Sequence, residues 1–272
     1  MAFTDHCDLY GAVHEDGVNR AIGHIMRQRP SLFNYATADV AANRKLWCAQ
    51  VSYTQDVIKY GNPLFTIVDP LPLLGADTPP VAIGFCAQLT EAKIDFHPGN
   101  TIALPAEMGP PLPEQRFSLM LRLCGSIECP SQDLVDGIPV GGGAAGQDTK
   151  AQGKQIVLHG KTSCFCLDVF AIGQIERQLI GGEERLLARL DDMDIVDIEP
   201  SSLEANLICY LKTMVNVVLR EKLTIALQTL MLSFPLFGLG TVTLSPTPDP
   251  PIPNNPAIED DQVKAFITMT VI

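Results

Sequence analysis

Basic residues are scarce in this chain: 19 Lys and Arg stand against 31 Asp and Glu, a formal net charge of −12. No Lys/Arg cluster offers a local exception. Such a surface repels phosphate backbones and anionic membranes, so nucleic-acid binding is not expected. Long apolar runs are missing too. The stretch Leu230–Leu239 is interrupted by Ser233, Pro235 and Gly238 and is too short to cross a bilayer, which predicts no transmembrane segment. The opening MAFTDHCDLYGAVHED carries acids and no apolar core behind basic residues, so it does not read as a secretory signal. The location this predicts is cytoplasmic, with non-classical export as the alternative.

Chemical signatures are equally sparse. The histidines His6, His14, His24, His97 and His159 are dispersed, with no HExxH pair. His14 and His24 are ten residues apart, some 15 Å along a helix axis, too far to share one ligand. No GxSxG elbow is present, and Gly141-Gly142-Gly143 is followed by no GK[ST]. Asp191-Asp192-Met193-Asp194 lacks the spacing and terminal Glu of an EF-hand and reads as a solvated turn, as does Glu259-Asp260-Asp261. Cys164 and Cys166 share one face of a strand, and Cys124 and Cys129 are further thiols for a zinc site. The spacing is not that of a zinc knuckle, and buried cysteines packed as small hydrophobes are the simpler account. The reading is no catalytic residue, no metal and no cofactor.

What the chain does have is apolar mass: 46% hydrophobic residues against 18% charged. At 272 residues it is long enough to bury a real core, and some apolar surface is left to line a cavity. Eight cysteines, Cys7, Cys48, Cys86, Cys124, Cys129, Cys164, Cys166 and Cys209, scattered without a signal, read as reduced thiols. From Asp8 to Met26, apolar residues recur at spacings of three and four, predicting an amphipathic helix that ends before Pro30. Alternation then predicts strands at Trp47–Tyr53, Ile58–Val68, Val81–Ile94, Phe117–Ile127 and Ile156–Ile172, an antiparallel meander. Asp136–Gly153 is glycine-rich without large apolar groups and reads as a flexible loop.

The last third returns to helical spacing. Ser201 and Glu204 form a capping-box pattern ahead of a stripe through Leu203, Leu207, Leu211, Met214, Val218 and Ile225. About thirty residues make a rod of roughly 45 Å, which needs an equally long surface to lie on. Gly240–Ser245 and Val263–Ile272 alternate again around the proline-rich loop 246–256.

This order, with the segment Asn216–Leu223 running through Phe234-Pro235-Leu236 into terminal strands, resembles the TULIP superfamily of tubular lipid-binding proteins related to bactericidal/permeability-increasing protein. The similarity is strongest over Leu203–Ile272. Without a signal peptide or a second module, the chain looks closer to single-module bacterial TULIP-type proteins than to secreted ones. The resemblance implies an α+β fold over residues 1–272, with long amphipathic helices wrapped by a strongly curved antiparallel sheet. It implies a non-enzymatic function: a lipid or other apolar small molecule held in a groove by Leu207, Leu211, Met214, Val215, Val218 and Leu219. By analogy a homodimer is expected. The rival is an interaction subunit of a toxin-associated or secreted complex, with the same fold filled by side chains.

Overall fold

The computed structural model describes residues 5–77, 80–109, 111–130, 156–158, 160–180, 183–199, 224–226, 232–236, 240–247, 252 and 254–271. The chain begins with strand β1 (Leu9–His14) and turns into helix α1 (Glu15–Gln28). Short pieces follow: β2 (Asn34–Ala36), α2 (Ala38–Ala42), α3 (Gln55–Lys59) and β3 (Thr66–Ile67). Next come β4 (Leu71–Asp77), β5 (Pro80–Ile83), β6 (Phe85–Phe96), β7 (Arg116–Pro130), β8 (Ile156–Leu158), β9 (Gly160–Ile180) and β10 (Glu183–Glu199). The last third contributes β11 (Thr224–Ala226), β12 (Leu232–Leu236), β13 (Gly240–Pro246), β14 (Ala257–Glu259) and β15 (Gln262–Val271).

The strands form three sheets. The seven-stranded one runs β11-β10-β9-β7-β6-β2-β3, antiparallel except for the β2–β3 pair. The five-stranded one runs β1-β15-β13-β12 with β14 also on β15, antiparallel throughout. A smaller sheet joins β4, β5 and β8.

Alternation explains the central strands. On one face of the seven-stranded sheet, Leu119, Leu121 and Leu123 of β7 pack with Leu167, Val169 and Ala171 of β9 and Met193 and Ile195 of β10. On the other, Met120, Phe170 and Ile172 meet Ile102, Met108 and Leu112 from the β6–β7 connection. Strand β9 is therefore buried on both sides at Val169-Phe170-Ala171-Ile172, which is why that run is continuously apolar. Each such side chain contributes roughly 1.5–3 kcal/mol by leaving water.

The architecture corrects several expectations. The protein is mostly β, and the three α-helices of the described residues are 14, 5 and 5 residues long, so an α+β arrangement of long helices wrapped by a curved sheet is not what forms. The expected helix Asp8–Met26 divides at His14. Leu9, Ala12 and Val13 suit helical spacing, but β15 offers them a six-residue antiparallel partner from the far end of the chain. Helix α1 then starts with the Asp16 N–H donating to His14 Nδ1 at 3.2 Å, and with Glu15 and Asp16 in its first turn, where the helix dipole favours acids.

No strand forms at Trp47–Tyr53. A 3₁₀ turn at Arg44–Leu46 leads into backbone that is held by a side chain instead of a ladder. Gln88 Oε1 accepts the N–H groups of Cys48 and Ala49 at 3.2 and 3.1 Å, and its Nε2 donates to the Ala49 carbonyl at 2.9 Å. Ile58–Val68 resolves into α3, a turn at Gly61 and the short β3. Asp191–Asp194 is no turn: it lies in β10, with Met193 buried, and a register shift between Leu190 and Asp192 absorbs the adjacent acids. Within the expected helix Leu203–Leu230, Thr224–Ala226 is strand β11 on β10. The remainder of that run, and the glycine-rich 136–153, lie outside the described residues.

Candidate functional site

Leu207, Leu211, Met214, Val215, Val218 and Leu219, expected to line a ligand groove, lie outside the described residues. The five-stranded sheet presents a different apolar surface. Residues directly opposed across antiparallel strands share a face. Leu9, Gly11 and Val13 of β1 oppose Ile267, Ala265 and Val263 of β15. Farther along, Ile267, Met269 and Val271 oppose Pro246, Leu244 and Val242 of β13. One face thus carries no polar side chain over three strands, while the other mixes Tyr10, Ala12 and Phe266 with His14, Gln262, Lys264, Thr268, Thr270, Thr243 and Ser245.

Burial along the apolar face is uneven. At the β14–β15 turn, Val263 and Ile258 pack on Phe96 and Phe117 of the seven-stranded sheet. That turn has two residues, Asp260 and Asp261, both at positive φ (54° and 58°), the geometry of a type I′ hairpin in which Asp is tolerated. Leu119 and Leu190 touch both this cluster and the β7–β9–β10 cluster, so the apolar layer continues from one sheet to the other. Val242, opposite Val271, is buried as well, yet exposed apolar side chains lie beside the buried ones. Leu9, Val13, Met269 and Val271 remain 42%, 54%, 45% and 55% exposed.

A buried polar node fixes this sheet to its neighbour. The Glu15 N–H donates to the Asp261 carbonyl, and the Asp261 N–H to the His97 carbonyl, each at 2.9 Å. The Glu15 carboxylate accepts the Phe96 N–H at 2.7 Å and the Thr101 hydroxyl. Asp95 accepts three backbone N–H groups, from Asn100, Thr101 and Ile102, at 3.2, 3.0 and 2.7 Å. Burial pushes the Glu15 carboxyl above its ordinary value; the bonds from Thr101 and Phe96 oppose that, and the neighbouring Asp95 charge adds to it. Both carboxyls are spent on backbone and hydroxyl donors, an arrangement that positions elements rather than substrate.

A solvent-open cavity of about 1090 Å³ runs along α1. Its lining includes Asp16, Asn19, Arg20, His24, Arg27 and Thr90, polar and of both charge signs.

The cysteines depart from expectation. Cys48–Cys164 and Cys124–Cys166 are disulfides, in place of reduced thiols or a zinc site. Cys124 and Cys166 stand directly opposite in the β7–β9 register, and Cys48 arrives from 116 residues away, so neither pairing is visible in local spacing. Among the described residues no group of three or more His, Cys, Asp or Glu is arranged to hold a metal. His14 caps α1, and His97 Nδ1 is 2.8 Å from the Leu112 carbonyl oxygen.

A scan against protein-family models and a search of curated proteins each return no match. The exposed apolar residues were missed in the sequence because Leu9 and Val13 read as helix. Their signal was the alternation in Val263–Ile272, which requires a partner strand on each side.

Proposed function

We propose that this chain is a non-catalytic binding protein that takes a lipid or another elongated apolar ligand against the five-stranded sheet. The observation that supports it is the apolar face itself, on which Leu9, Val13, Met269 and Val271 stay exposed beside the buried Val242 and Ile258. Exposed apolar side chains scattered singly need no explanation, whereas a contiguous row on one sheet face marks a binding surface. Ten buried methylenes at ~0.8 kcal/mol each approach the energy of micromolar affinity before ordering costs are subtracted. No cofactor or proton transfer is required. The two disulfides support action in an oxidising setting rather than the reducing cytoplasm. A second reading, an interaction subunit of a secreted complex, draws support from β1 and β12, which end the five-stranded sheet among the described residues.

The test is native mass spectrometry, with organic extraction, of protein purified without detergent, followed by displacement of a fluorescent fatty-acid probe. Co-purifying lipid near integral stoichiometry and saturable displacement are the expected results. A clean apo mass from a protein that also ignores the probe would sink the ligand reading and favour the subunit one.

A further inference from the structure

Three paired strands gather four cysteines on one face of the seven-stranded sheet. Cys86 of β6, Ser126 of β7 and Cys164 of β9 form one row across the strands; Gln88, Cys124 and Cys166 form the next row on the same face. Cys48 reaches this face from the segment after α2, bridged to Cys164. Cys86 keeps a thiol and is buried, packed with Ala36, Val40 and Phe65. It also sits beside Cys48: Gln88 Oε1 accepts both the Cys48 N–H at 3.2 Å and the Cys86 S–H at 3.4 Å. The Cys48 sulfur itself rests 3.1 Å from the Gly125 carbonyl oxygen, over the strand between β6 and β9. Cys164, the other end of the bridge, is exposed to solvent.

We propose that Cys86 is a resident exchange thiol for the Cys48–Cys164 bridge. Cys86 releases its proton to solvent and its sulfur attacks Cys48 Sγ. A Cys48–Cys86 bond forms as the Cys48–Cys164 bond breaks, and Cys164 leaves as a thiolate that takes up a proton. Nothing is oxidised or reduced overall, so no external reagent is needed. The asymmetry of burial gives the exchange its direction of use: the new bridge lies beside Trp47 and Phe65, while the released thiol is on the surface, where it can attack a small-molecule disulfide, forming a mixed disulfide and releasing that compound's other half as a thiol.

The attacking group is held in check. Burial pushes the Cys86 thiol up to about 11, against the Cys48 N–H and Ser126, which favour the thiolate. About one molecule in ten thousand is then the thiolate at pH 7, rising tenfold per pH unit. The charged groups around it are few. Glu128 of β7 lies over Gly84, two residues along from Cys86; Arg44 is stacked on the Trp47 ring; Asp39 of α2 and Lys45 are exposed.

The experiment incubates the oxidised full chain at pH 7 and at pH 9.5 without added thiol. Acid quenching, denaturing alkylation and peptide mapping follow. The expected outcome is a Cys48–Cys86 linked peptide, together with alkylated Cys164, at least a hundredfold faster at the higher pH. In Cys86→Ala the Cys48–Cys164 peptide persists and Cys164 stays unlabelled. Should that variant fail to fold, the linked peptide in the unaltered chain decides by itself. Cys164 still bridged at both pH values overturns the proposal, as does Cys164 released with Cys48 joined to any cysteine other than Cys86.

Discussion

Asn19 of α1 grips Ile94 of β6 with both ends of its amide: Nδ2 donates to the Ile94 carbonyl and Oδ1 accepts the Ile94 N–H, each at 2.8 Å. The side chain stands in for a neighbouring strand and fastens the helix to the sheet. Replacing it with Leu, of similar size, strands both backbone groups. Asn19→Leu is expected to lose about 2 kcal/mol, seen as a lower urea midpoint at unchanged slope. An unaltered midpoint would show that water satisfies Ile94 equally well.

The Glu15 carboxyl is raised by burial, so the fold favours its neutral form. Its stabilising contribution is fully present below the unfolded value, about 4.3, and is lost as pH rises through the higher folded value. Glu15→Gln removes that dependence. Relative to the variant, the unaltered protein should lose stability in urea melts as pH rises above about 4; a relative loss as pH falls instead reverses the assignment.

Gly173 of β9 lies opposite both Phe117 and Leu190. A Cβ there would stand 2.6 Å from the Arg189 carbonyl oxygen, a backbone atom that cannot step aside, and 2.7 Å from the Phe117 ring. At Gly125 the obstacle is only the Phe165 ring, also at 2.7 Å. Gly173→Ala should therefore cost toward the upper part of the ~1–3 kcal/mol typical of overpacking, and Gly125→Ala less. Equal thermal shifts would contradict this ordering.

Removing the cross-strand bridge with Cys124→Ala and Cys166→Ala together opens a loop of 42 residues. A loss of about 2–4 kcal/mol is expected on chain-entropy grounds, read from denaturant midpoints under oxidising conditions. No loss would indicate that the unfolded chain is already restricted, by residual structure or by the remaining Cys48–Cys164 bridge.

Val13→Glu with Val271→Glu places two charges on the open apolar face at positions that are more than half exposed. Stability should change by no more than about 0.5 kcal/mol per site, while affinity for a fluorescent fatty-acid probe falls about tenfold or more. Undiminished probe binding would move the ligand site elsewhere.

Much of the sheet is written locally. The alternation at Val81–Ile94, Phe117–Ile127, Ile156–Ile172 and Gly240–Ser245 survives as β5 to β9 and β13, because side-chain direction follows from backbone pleat alone. Leu9–Val13 was not legible, since five residues with apolar groups three and four apart satisfy either period until a partner strand is supplied. Trp47–Tyr53 failed for the converse reason: its alternation is real, but the Gln88 amide occupies the backbone groups a strand would have used.

By itself the sequence determined the acidic charge, the lack of an uninterrupted apolar run long enough to span a membrane, and several of the two-faced strands. These depend on composition and on neighbours a few residues apart. Tertiary structure alone decided that Leu9, Val13, Leu244 and Met269 share one apolar face, that Cys124 meets Cys166, and that Cys86 sits beside Cys48. Register between strands distant in sequence depends on how the sheets bury their faces together, and no local spacing encodes it.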